Sequence, residues 1–321
     1  MKVFYNSNMS IDSGSYSPSG SKPAAAVADW LARGLAVQIV DFEPATEADL
    51  CLAHNPKFVR QVLKGRSPNG HGNRRKAVTN SCRWTVGSLV AAAREALTET
   101  ITCSPSSGFH HAGYAHNGAY CTFNGMIVAA RQMMIEGRVS KVGILDADMH
   151  YGDGTQDIID VLNLHDEIKH WTFGSLVYDL NFHQDELLCA MGQALQAMKA
   201  DGVELIIYQA GADPHKNDPL GGLMTSAEMR ERDAFVFKEC MAHGMPVVFD
   251  FAGGYQRDAN GGIEPVLELH RATAEEAIRA LAGARSTTKK WIRMIDTTAQ
   301  SLGKGIAIIG GVRAPRKPKQ R

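Results

Sequence analysis

Short apolar runs alternate with amphipathic helical stretches along most of the chain, and this alternation limits the folds open to it. We predict strands at residues 2–5, 36–42, 102–107, 142–145, 168–173, 204–209 and 246–251, and helices at 22–33, 84–98, 122–136, 186–200 and 226–243, with one or two short helices in 45–64. Strands and helices in succession are typical of parallel strands joined by crossover helices that cover both faces of a sheet. The predicted fold class is α/β, a single three-layer α/β/α domain around a central, mostly parallel sheet.

No linker, repeat or shift in composition divides the 321 residues, which favours one domain over two. After about residue 283 the alternation weakens, and we predict only a helix at 289–298 and a strand at 305–312. The main domain is assigned to residues 1–285 and a C-terminal extension to 286–321. The basic run RAPRKPKQR, which ends that extension, is expected to be a solvated, disordered tail. Residues 66–80, rich in glycine and charge, are expected to form a surface loop.

The charge balance and the cysteine spacing exclude several classes of function. Acidic and basic side chains number 34 each, so no overall charge attracts the chain to nucleic acid or to an anionic membrane. The six cysteines lie far apart without a CxxC pair, as in the reduced core of a cytosolic protein. No signal-peptide pattern is present, and no apolar run approaches the roughly 18 residues of a membrane span. We therefore expect a cytoplasmic protein.

Ionisable residues cluster where a predicted buried strand ends, in the stretch VGILDADMHYGDGT at 142–155. Asp146, Asp148 and His150 follow one another at a spacing of two, so an extended backbone would point all three to one side. The glycines on either side of Asp153 are expected to allow a tight turn, and Asp153 itself adds a third carboxylate. Such groups are costly at the end of a buried strand unless a cation or a hydrogen-bond network holds them. We therefore predict a functional site here.

Three other predicted strands are also followed by residues that can carry chemistry. His110 and His111 follow the third strand, Asp213 follows the sixth and Tyr255 follows the seventh. Because ligands bind at the carboxyl ends of parallel strands, these side chains could meet although they are far apart in sequence. Taken singly, each has an ordinary interpretation: a chance histidine pair, a helix cap for Asp213 and a packed aromatic ring for Tyr255.

The residue types in this cluster suit metal-assisted hydrolysis. Asp148, His150 and Asp213 supply two carboxylates and one imidazole, and a catalytic zinc keeps three protein ligands with one position open for water. Zinc lowers the pKa of that water to about 7, and a base must then remove the proton. The adjacent histidines could provide the base, each oriented by one of the two remaining carboxylates. Tyr255 could donate a hydrogen bond to an oxyanion.

Four motifs, in this order and at this spacing, resemble the zinc-dependent histone deacetylases and acetylpolyamine amidohydrolases. They are GFHHAGYAHNGAYCTFNG at 108–125, ILDADMHYGDGT at 144–155, QAGADPHKNDPLGG at 209–222 and FAGGYQ at 251–256. The resemblance covers about residues 3–282, weakly before residue 108 and strongly from there to residue 255. It implies the arginase-deacetylase fold, with a deacetylase-like catalytic domain over 1–285, and hydrolysis of the amide bond between an acyl group and an amine.

The resemblance also implies a role for each residue of the site. The catalytic residues would be His110, His111, Tyr255, Asp146 and Asp153, the metal ligands Asp148, His150 and Asp213, and the substrate-binding residues Tyr120, Gly108 and Gly253. Asp146 would orient His110 and Asp153 would orient His111. In the family mechanism the zinc and the tyrosine polarise the amide carbonyl, while the second histidine deprotonates the attacking water and then protonates the leaving amine.

The cofactor implied is Zn²⁺, or Fe²⁺ or another divalent metal in its place. A potassium ion beside it would be bound partly by Asp146, Asp148 and the carbonyl of His150. The partner implied is an acylated amine such as acetyl-lysine or an acetylpolyamine. The sequence leaves the substrate, the acyl chain length and the oligomeric state open, and a homo-oligomer is compatible with it.

Some positions depart from the family pattern, and all of them concern substrate binding. Ser106 and Ser107 stand where an arginine and prolines are common, and Tyr120 stands where phenylalanine is usual in the wall of the acyl-lysine tunnel. The segment FGSLVYDLNF lacks the Pro-Gly-Thr-Gly loop that builds the opposite wall, and Tyr178 or Phe182 could replace it.

Two alternative functions stay open at this stage. One is a non-catalytic relative that binds acylated ligands or a partner. Against it, the chain retains Tyr255, both histidines and all three metal ligands. The other is a related binuclear manganese ureohydrolase, which needs a DxD pair where Asp213 is followed by Pro214 and His215.

Overall fold

The computed structural model describes residues 1–176 and 183–301 of the chain. The chain divides into two compact units, Met1–Leu281 and Ala282–Arg321. The first unit contains the sheet and every side chain discussed below. In the second unit the described backbone, 282–301, is helical, as predicted for 289–298. The predicted strand at 305–312 and the basic tail lie outside the described residues, as do Tyr178 and Phe182.

Seven parallel strands form one sheet. They are β1 (Lys2–Phe4), β2 (Gln38–Val40), β3 (Ile101–Cys103), β4 (Val142–Asp146), β5 (Ile168–Thr172), β6 (Leu205–Gln209) and β7 (Val247–Asp250), in the spatial order β2-β1-β3-β7-β6-β4-β5. All seven strands predicted for residues 1–285 are therefore present; four are one or two residues shorter than predicted, β2 and β3 are four and three residues shorter, and β4 is one residue longer. The order places β3, β7, β6 and β4 side by side, which are the four strands followed by the predicted site residues.

Helices cover both faces of this sheet. They are α1 (Lys22–Ala32), α2 (Glu47–Leu50), α3 (Pro56–Leu63), α4 (Lys76–Glu99), α5 (Gly125–Ile135), α6 (Asp153–Leu162), α7 (Gln184–Ala200), α8 (Ser226–Ala242) and α9 (Glu264–Ser301), with 3₁₀ turns at Ser7–Met9, Pro18–Gly20 and Phe173–Ser175. One hydrophobic core contains apolar residues of α1, α7, α8 and the first turns of α9, and the other contains those of α2 to α6.

Alternate side chains of each strand enter the two cores. On β4, Ile144 packs with the α2–α6 layer and Leu145 with the opposite layer, and Ile207 and Ile206 of β6 divide in the same way. This alternation follows from the period of two in a strand, and burial on both faces accounts for the continuous apolar runs of the sequence. The predicted three-layer α/β/α class is confirmed.

Three sequence predictions about these elements were wrong or incomplete. The loop predicted at 66–80 ends early, because α4 begins at Lys76 and buries Val78. Helix α6 was not predicted, since glycines on either side of its first residue suggested a turn. The helix that begins at Glu264 was not predicted before residue 289. In each case apolar residues of the helix are buried in one of the two cores, and this packing outweighs weak local propensity.

Candidate metal centre and active site

The polar end of β4 does not continue as an extended strand, as the spacing of two had suggested. β4 ends at Asp146, and the chain then bends so that the N–H of Asp148 donates to Oδ1 of Asp146 across 3.1 Å. The N–H of His150 donates in turn to Oδ1 of Asp148 across 3.0 Å. These turns aim Asp146 toward the histidine pair and bring Asp148 and His150 to a common point. The prediction of a single extended face was therefore wrong, although the residues do cluster.

Asp148, His150 and Asp213 converge to form a potential metal site. One ligand atom of each lies within 4.8 Å of the others. Nδ1 of His150 is 3.1 Å from Oδ1 of Asp148 and 3.1 Å from Oδ2 of Asp213. Asp213 does not cap a helix; its other oxygen accepts from the N–H of Met149 at 3.0 Å, which ties the end of β6 to the loop after β4.

The electrostatics of this group favour a cation at its centre. Both aspartates are fully buried, and burial together with the neighbouring charge of Asp148 raises the pKa of Asp213 to about 7. The two carboxylates in turn raise the pKa of His150 to about 11. A divalent cation would relieve this repulsion, and carboxylate oxygen with imidazole nitrogen is a donor set that zinc and iron accept. The residues present therefore fit a divalent metal.

Two glycines leave room for these ligands. A Cβ atom on Gly253 would lie 2.1 Å from Oδ2 of Asp213 and 2.7 Å from Oδ2 of Asp148. A Cβ atom on Gly211 would lie 2.7 Å from the Cα of Asp148. The loops after β6 and β7 can approach the carboxylates this closely only because both positions lack a side chain. Gly253, predicted to bind substrate, thus contacts the metal ligands.

Two fully buried cations lie behind the metal group, and the sequence analysis missed both. Arg232 of α8 donates to the carbonyl of Ala147 at 3.2 Å and to that of Gly211 at 3.0 Å. Lys22, in the first turn of α1, donates to the carbonyls of Ala252 and Gly253 at 2.8 and 3.2 Å. These contacts fix the loops that follow β4, β6 and β7. Burial lowers the pKa of Lys22 to about 8. Nothing in the sequence around either residue signals this role.

The tandem histidines each contact a different carboxylate, as predicted. Nδ1 of His110 lies 2.8 Å from Oδ2 of Asp146, and Nδ1 of His111 lies 2.6 Å from Oδ1 of Asp153, the first residue of α6. The centroids of the two imidazole rings are 4.0 Å apart. Burial opposes charge on His110, but Asp146 and Asp148 outweigh it and raise its pKa to about 9. Burial and the adjacent His110 lower the pKa of His111. The two imidazoles therefore differ in charge.

Gly152 and Gly154, on either side of Asp153, permit this arrangement because they lack side chains, and not because they form a tight turn. Gly152 has an ordinary φ of −74°, and a Cβ atom there would lie 2.8 Å from Oδ2 of Asp146. A Cβ atom on Gly154 would lie 2.4 Å from the backbone of His111. The start of α6 can therefore pack directly against the histidine pair.

Tyr255 and Tyr120 lie together beside the metal group. Their ring centroids are 5.7 Å apart, and Tyr255 is only 8% exposed. Burial and the nearby charge of Asp213 raise the pKa of Tyr255, so its hydroxyl stays protonated and able to donate. Its backbone N–H donates to Oδ2 of Asp218 across 2.7 Å. Asp218, in the DPLGG part of its motif, thus helps to fix the tyrosine and was not singled out from the sequence.

The loop before α4 contributes to the wall formed by Tyr120. The tyrosine has a positive φ of 67°, and its N–H donates to the carbonyl of Gly70 at 3.0 Å. Its ring lies 6.0 Å from that of His71, whose Nδ1 contacts Oγ of Ser15 at 2.9 Å. Gly108, with φ of 99°, also adjoins the tyrosine, since a Cβ atom there would lie 3.6 Å from its carbonyl oxygen. Tyr120 and Gly108 therefore share one wall.

Comparison with known proteins finds similarity to histone deacetylases and acetylpolyamine amidohydrolases. The profile of the Histone deacetylase domain matches residues 19–186. Histone deacetylase 2 of Arabidopsis thaliana is 27% identical over 55% of this chain, and acetylpolyamine amidohydrolase 2 of Pseudomonas aeruginosa is 28% identical over 56%. The chain spans 50% and 58% of the lengths of these two relatives, so about half of each.

Solved structures show the same fold. The HD domain of HDA15 superposes with a TM-score of 0.67 at 17% identity and covers 95% of this chain and 99% of its own. At that identity the likeness shows the arginase-deacetylase architecture and no more. Within the part of the chain that the structure describes, no helix is long and apolar enough to cross a membrane. All six cysteines are free thiols.

Proposed function

The chain belongs to the histone deacetylase domain family, and on this premise we propose that it is a zinc-dependent amidohydrolase that removes an acetyl or other acyl group from an acylated amine. One observation carries the proposal: the potential metal group of Asp148, His150 and Asp213 lies beside two histidines that are each held by a separate aspartate. A metal group alone could be structural. A base beside it is what hydrolysis requires.

In this proposal Asp148, His150 and Asp213 hold the divalent ion. When bound, zinc would polarise the scissile carbonyl and lower the pKa of water there. The carboxylates of Asp146 and Asp148, with the carbonyl of His150, offer the oxygen ligands that a neighbouring potassium ion would use.

His111 is the base that takes the proton of the attacking water. Its lowered pKa leaves the imidazole neutral near pH 7, and a neutral imidazole can accept a proton. Asp153 contacts Nδ1, so Nε2 is the atom left for catalysis. The same nitrogen then protonates the leaving amine. His110, with its raised pKa, contributes positive charge beside the developing oxyanion.

Tyr255 donates a hydrogen bond to the substrate carbonyl oxygen as negative charge develops on it. The tyrosine follows Gly253 by two residues, and Gly253 contacts both carboxylates of the metal group. A short, buried loop therefore holds the tyrosine beside the metal group, which supports this role because little entropy would be lost on substrate binding.

The substrate class is an acyl chain on a primary amine, which includes acetyl-lysine and acetylpolyamines. The described wall of Tyr120, Gly108 and His71 is uncharged, because burial lowers the pKa of His71 to about 4. An uncharged wall suits the apolar methylene chain of either substrate.

The test is turnover by the zinc-loaded protein of acetyl-lysine fluorogenic amides, acetylated polyamines and small acylamines. We expect amide hydrolysis that a chelator abolishes and that added zinc restores, with iron and other divalent metals compared for activity. Binding of these ligands without turnover would instead identify a non-catalytic relative. Hydrolysis of a guanidino substrate by two manganese ions would identify a ureohydrolase.

A further inference from the structure

Three polar side chains lie in one row across the sheet, at the level just beyond the apolar core. Asp146 of β4 is in register with Gln209 of β6, and Gln209 is in register with Asp250 of β7. The residues two positions earlier on the same strands, Ile144, Ile207 and Val248, are also in register with one another, and they pack into the core with α2 to α6. Register partners on adjacent strands point to the same face, so the amide of Gln209 lies between two carboxyl groups. All three side chains are fully buried.

The two acids of this row differ in the donors that they receive. Oδ1 of Asp146 accepts from the N–H of Asp148 at 3.1 Å and from Nε2 of Gln209 at 2.9 Å, and Oδ2 contacts Nδ1 of His110 at 2.8 Å. Asp250 accepts at Oδ1 from the N–H of Ala252 at 3.2 Å. Oδ2 of Asp250 and Oε1 of Gln209 have no hydrogen-bond partner among the described residues.

A single proton on one carboxyl group would give a hydrogen-bond partner to both unpaired atoms, Oδ2 of Asp250 and Oε1 of Gln209. A carboxamide has a donating end and an accepting end, so it cannot donate to two charged carboxylates on opposite sides. With Nε2 of Gln209 on Asp146, the amide oxygen is left for the opposite neighbour in the row, which is its register partner Asp250. Two buried acceptors that face each other are unfavourable, whereas a neutral carboxylic acid would donate an O–H to the amide oxygen. Asp146 already has three hydrogen-bond partners, whereas Oδ2 of Asp250 has none among the described residues, so the proton belongs to Asp250.

We propose that Asp250 is a neutral carboxylic acid that donates to Oε1 of Gln209 and thereby fixes the amide that holds Asp146 against His110. The direction of the pKa of Asp250 agrees: burial and the charge of Asp146 raise it well above its ordinary value. Other charged or titratable groups near it are Asp148, which also raises its pKa, Lys22 and His110, and Cys103 on β3, whose thiol is kept protonated by burial. Within the described part of the chain, Asp250 hydrogen-bonds to Ala252 and to no metal ligand, so we assign it a positioning role.

Asp250 affects the catalytic residues through a short chain of contacts that runs through Gln209 and Asp146 to His110. Gln209 occupies Oδ1 of Asp146 and leaves Oδ2 to His110, which sets the tautomer and the orientation of that imidazole. If Gln209 lost its anchor, the amide could rotate and place its oxygen against Asp146. His110 would then lose its alignment. This inference rests on the proposed function only where it concerns turnover.

The protonation state can be measured without any activity. Infrared difference spectra of the wild-type protein against Asp250→Asn should show the carbonyl stretch of a protonated carboxylic acid in the wild type, shifted by deuteration and constant over the pH range in which the protein is folded. A wild-type spectrum that instead shows a carboxylate band lost in the variant would overturn the proposal.

The positioning role is tested by kinetics with two variants of equal metal content. Asp250→Asn keeps an N–H donor for Gln209 and an acceptor for Ala252, so kcat should stay within about twofold of wild type. Asp250→Leu has the same number and branching of side-chain heavy atoms but no donor, and kcat should fall about tenfold or more with KM little changed, the size expected when a partner that orients an active-site ligand is lost.

Equal activity of Asp250→Leu and wild type would contradict the role, and so would equal damage from asparagine and leucine, which would mean that a charge is needed. If Asp250→Leu does not fold, the infrared band alone decides. A wild-type protein that turns over no acylated amine would refute the proposed function and leave the infrared result unaffected.

Discussion

The backbone N–H of Gly253 donates to Oδ2 of Asp148 across 2.7 Å, which joins the loop after β7 to the end of β4. The same glycine lies against Asp213, because a Cβ atom on it would stand 2.1 Å from Oδ2 of that residue. One residue without a side chain therefore separates two buried carboxylates, and Tyr255 follows two positions later. The geometry of the metal group and the position of the tyrosine depend on the same short loop.

Gly253→Ala should reduce metal retention severely, because the added methyl group collides with both carboxylates and neither can move without losing its N–H donor. Metal content after dialysis, measured with the fold checked by circular dichroism, tests this. Gly118→Ala is the matched control, since a Cβ atom there meets nothing within 4 Å. Full metal content in Gly253→Ala would contradict the described geometry.

Much of the fold was predictable because burial on both faces of a parallel sheet leaves a strong signal. The inner strands read as short, buried apolar runs, and the residues that follow β3, β4, β6 and β7 meet because the spatial order makes these strands neighbours. That order is not visible in the sequence. It depends on which crossovers pack together, and the motifs could indicate it only through the resemblance to a known family.

The supporting residues of the site could not be predicted for a different reason. Lys22 and Arg232 bind backbone carbonyls of loops far away in sequence, and such contacts leave no local pattern. The spacing of Asp146, Asp148 and His150 predicted an extended face, whereas side chain to backbone hydrogen bonds bend the chain there. The roles of Gly152 and Gly154 became clear only from the atoms that a Cβ at each position would approach too closely.

Asp213→Ala should abolish metal retention in the proposed enzyme. It removes one of the three converging ligands and also the acceptor for the N–H of Met149. Metal content by elemental analysis and turnover measured on the same preparation give the answer. Asp185 is an exposed acid at the start of α7, and Asp185→Ala should keep the metal content and the turnover of wild type. An Asp213→Ala protein with full metal and activity would remove this residue from the site.

Tyr255→Phe should lower kcat about a hundredfold or more while metal content and substrate affinity stay near wild type, since one donor to the oxyanion is lost. The buried position leaves little room for water to replace the hydroxyl. Tyr114→Phe, which removes a hydroxyl from a ring packed in the core with α2 to α6, serves as the control. Unchanged kcat in Tyr255→Phe would mean that the tyrosine only packs.

His111→Ala should be more damaging than His110→Ala, because the neutral imidazole is the one that can accept the proton of water and return it to the amine. His110→Ala should leave measurable turnover, since it removes only nearby positive charge. The measurement is kcat/KM for both variants with metal content checked. A His111→Ala enzyme with turnover near wild type would reverse the assignment of the two histidines.

His54 should make the stability of the fold depend on pH. Its Nε2 accepts from the N–H of Asn124 at 2.8 Å, so Nδ1 carries the proton and donates to the carbonyl of Gly113 at 2.8 Å. A second proton would break the first contact, and burial lowers the pKa of this histidine from 6.5 to about 4. These two contacts hold both ends of the segment that carries Tyr120.

Between pH 6.5 and about 4 the unfolded chain binds a proton at this position that the folded chain does not, so the free energy of unfolding rises with pH there and is largest above 6.5. The shift corresponds to a loss of about 3 kcal/mol on acidification. Urea unfolding at several pH values should show a shallower loss for His54→Gln than for wild type. His165→Gln, at an exposed histidine that is not among the groups acting on His54, should keep the wild-type slope. Equal slopes for wild type and His54→Gln would show that His54 is charged in the folded protein without cost.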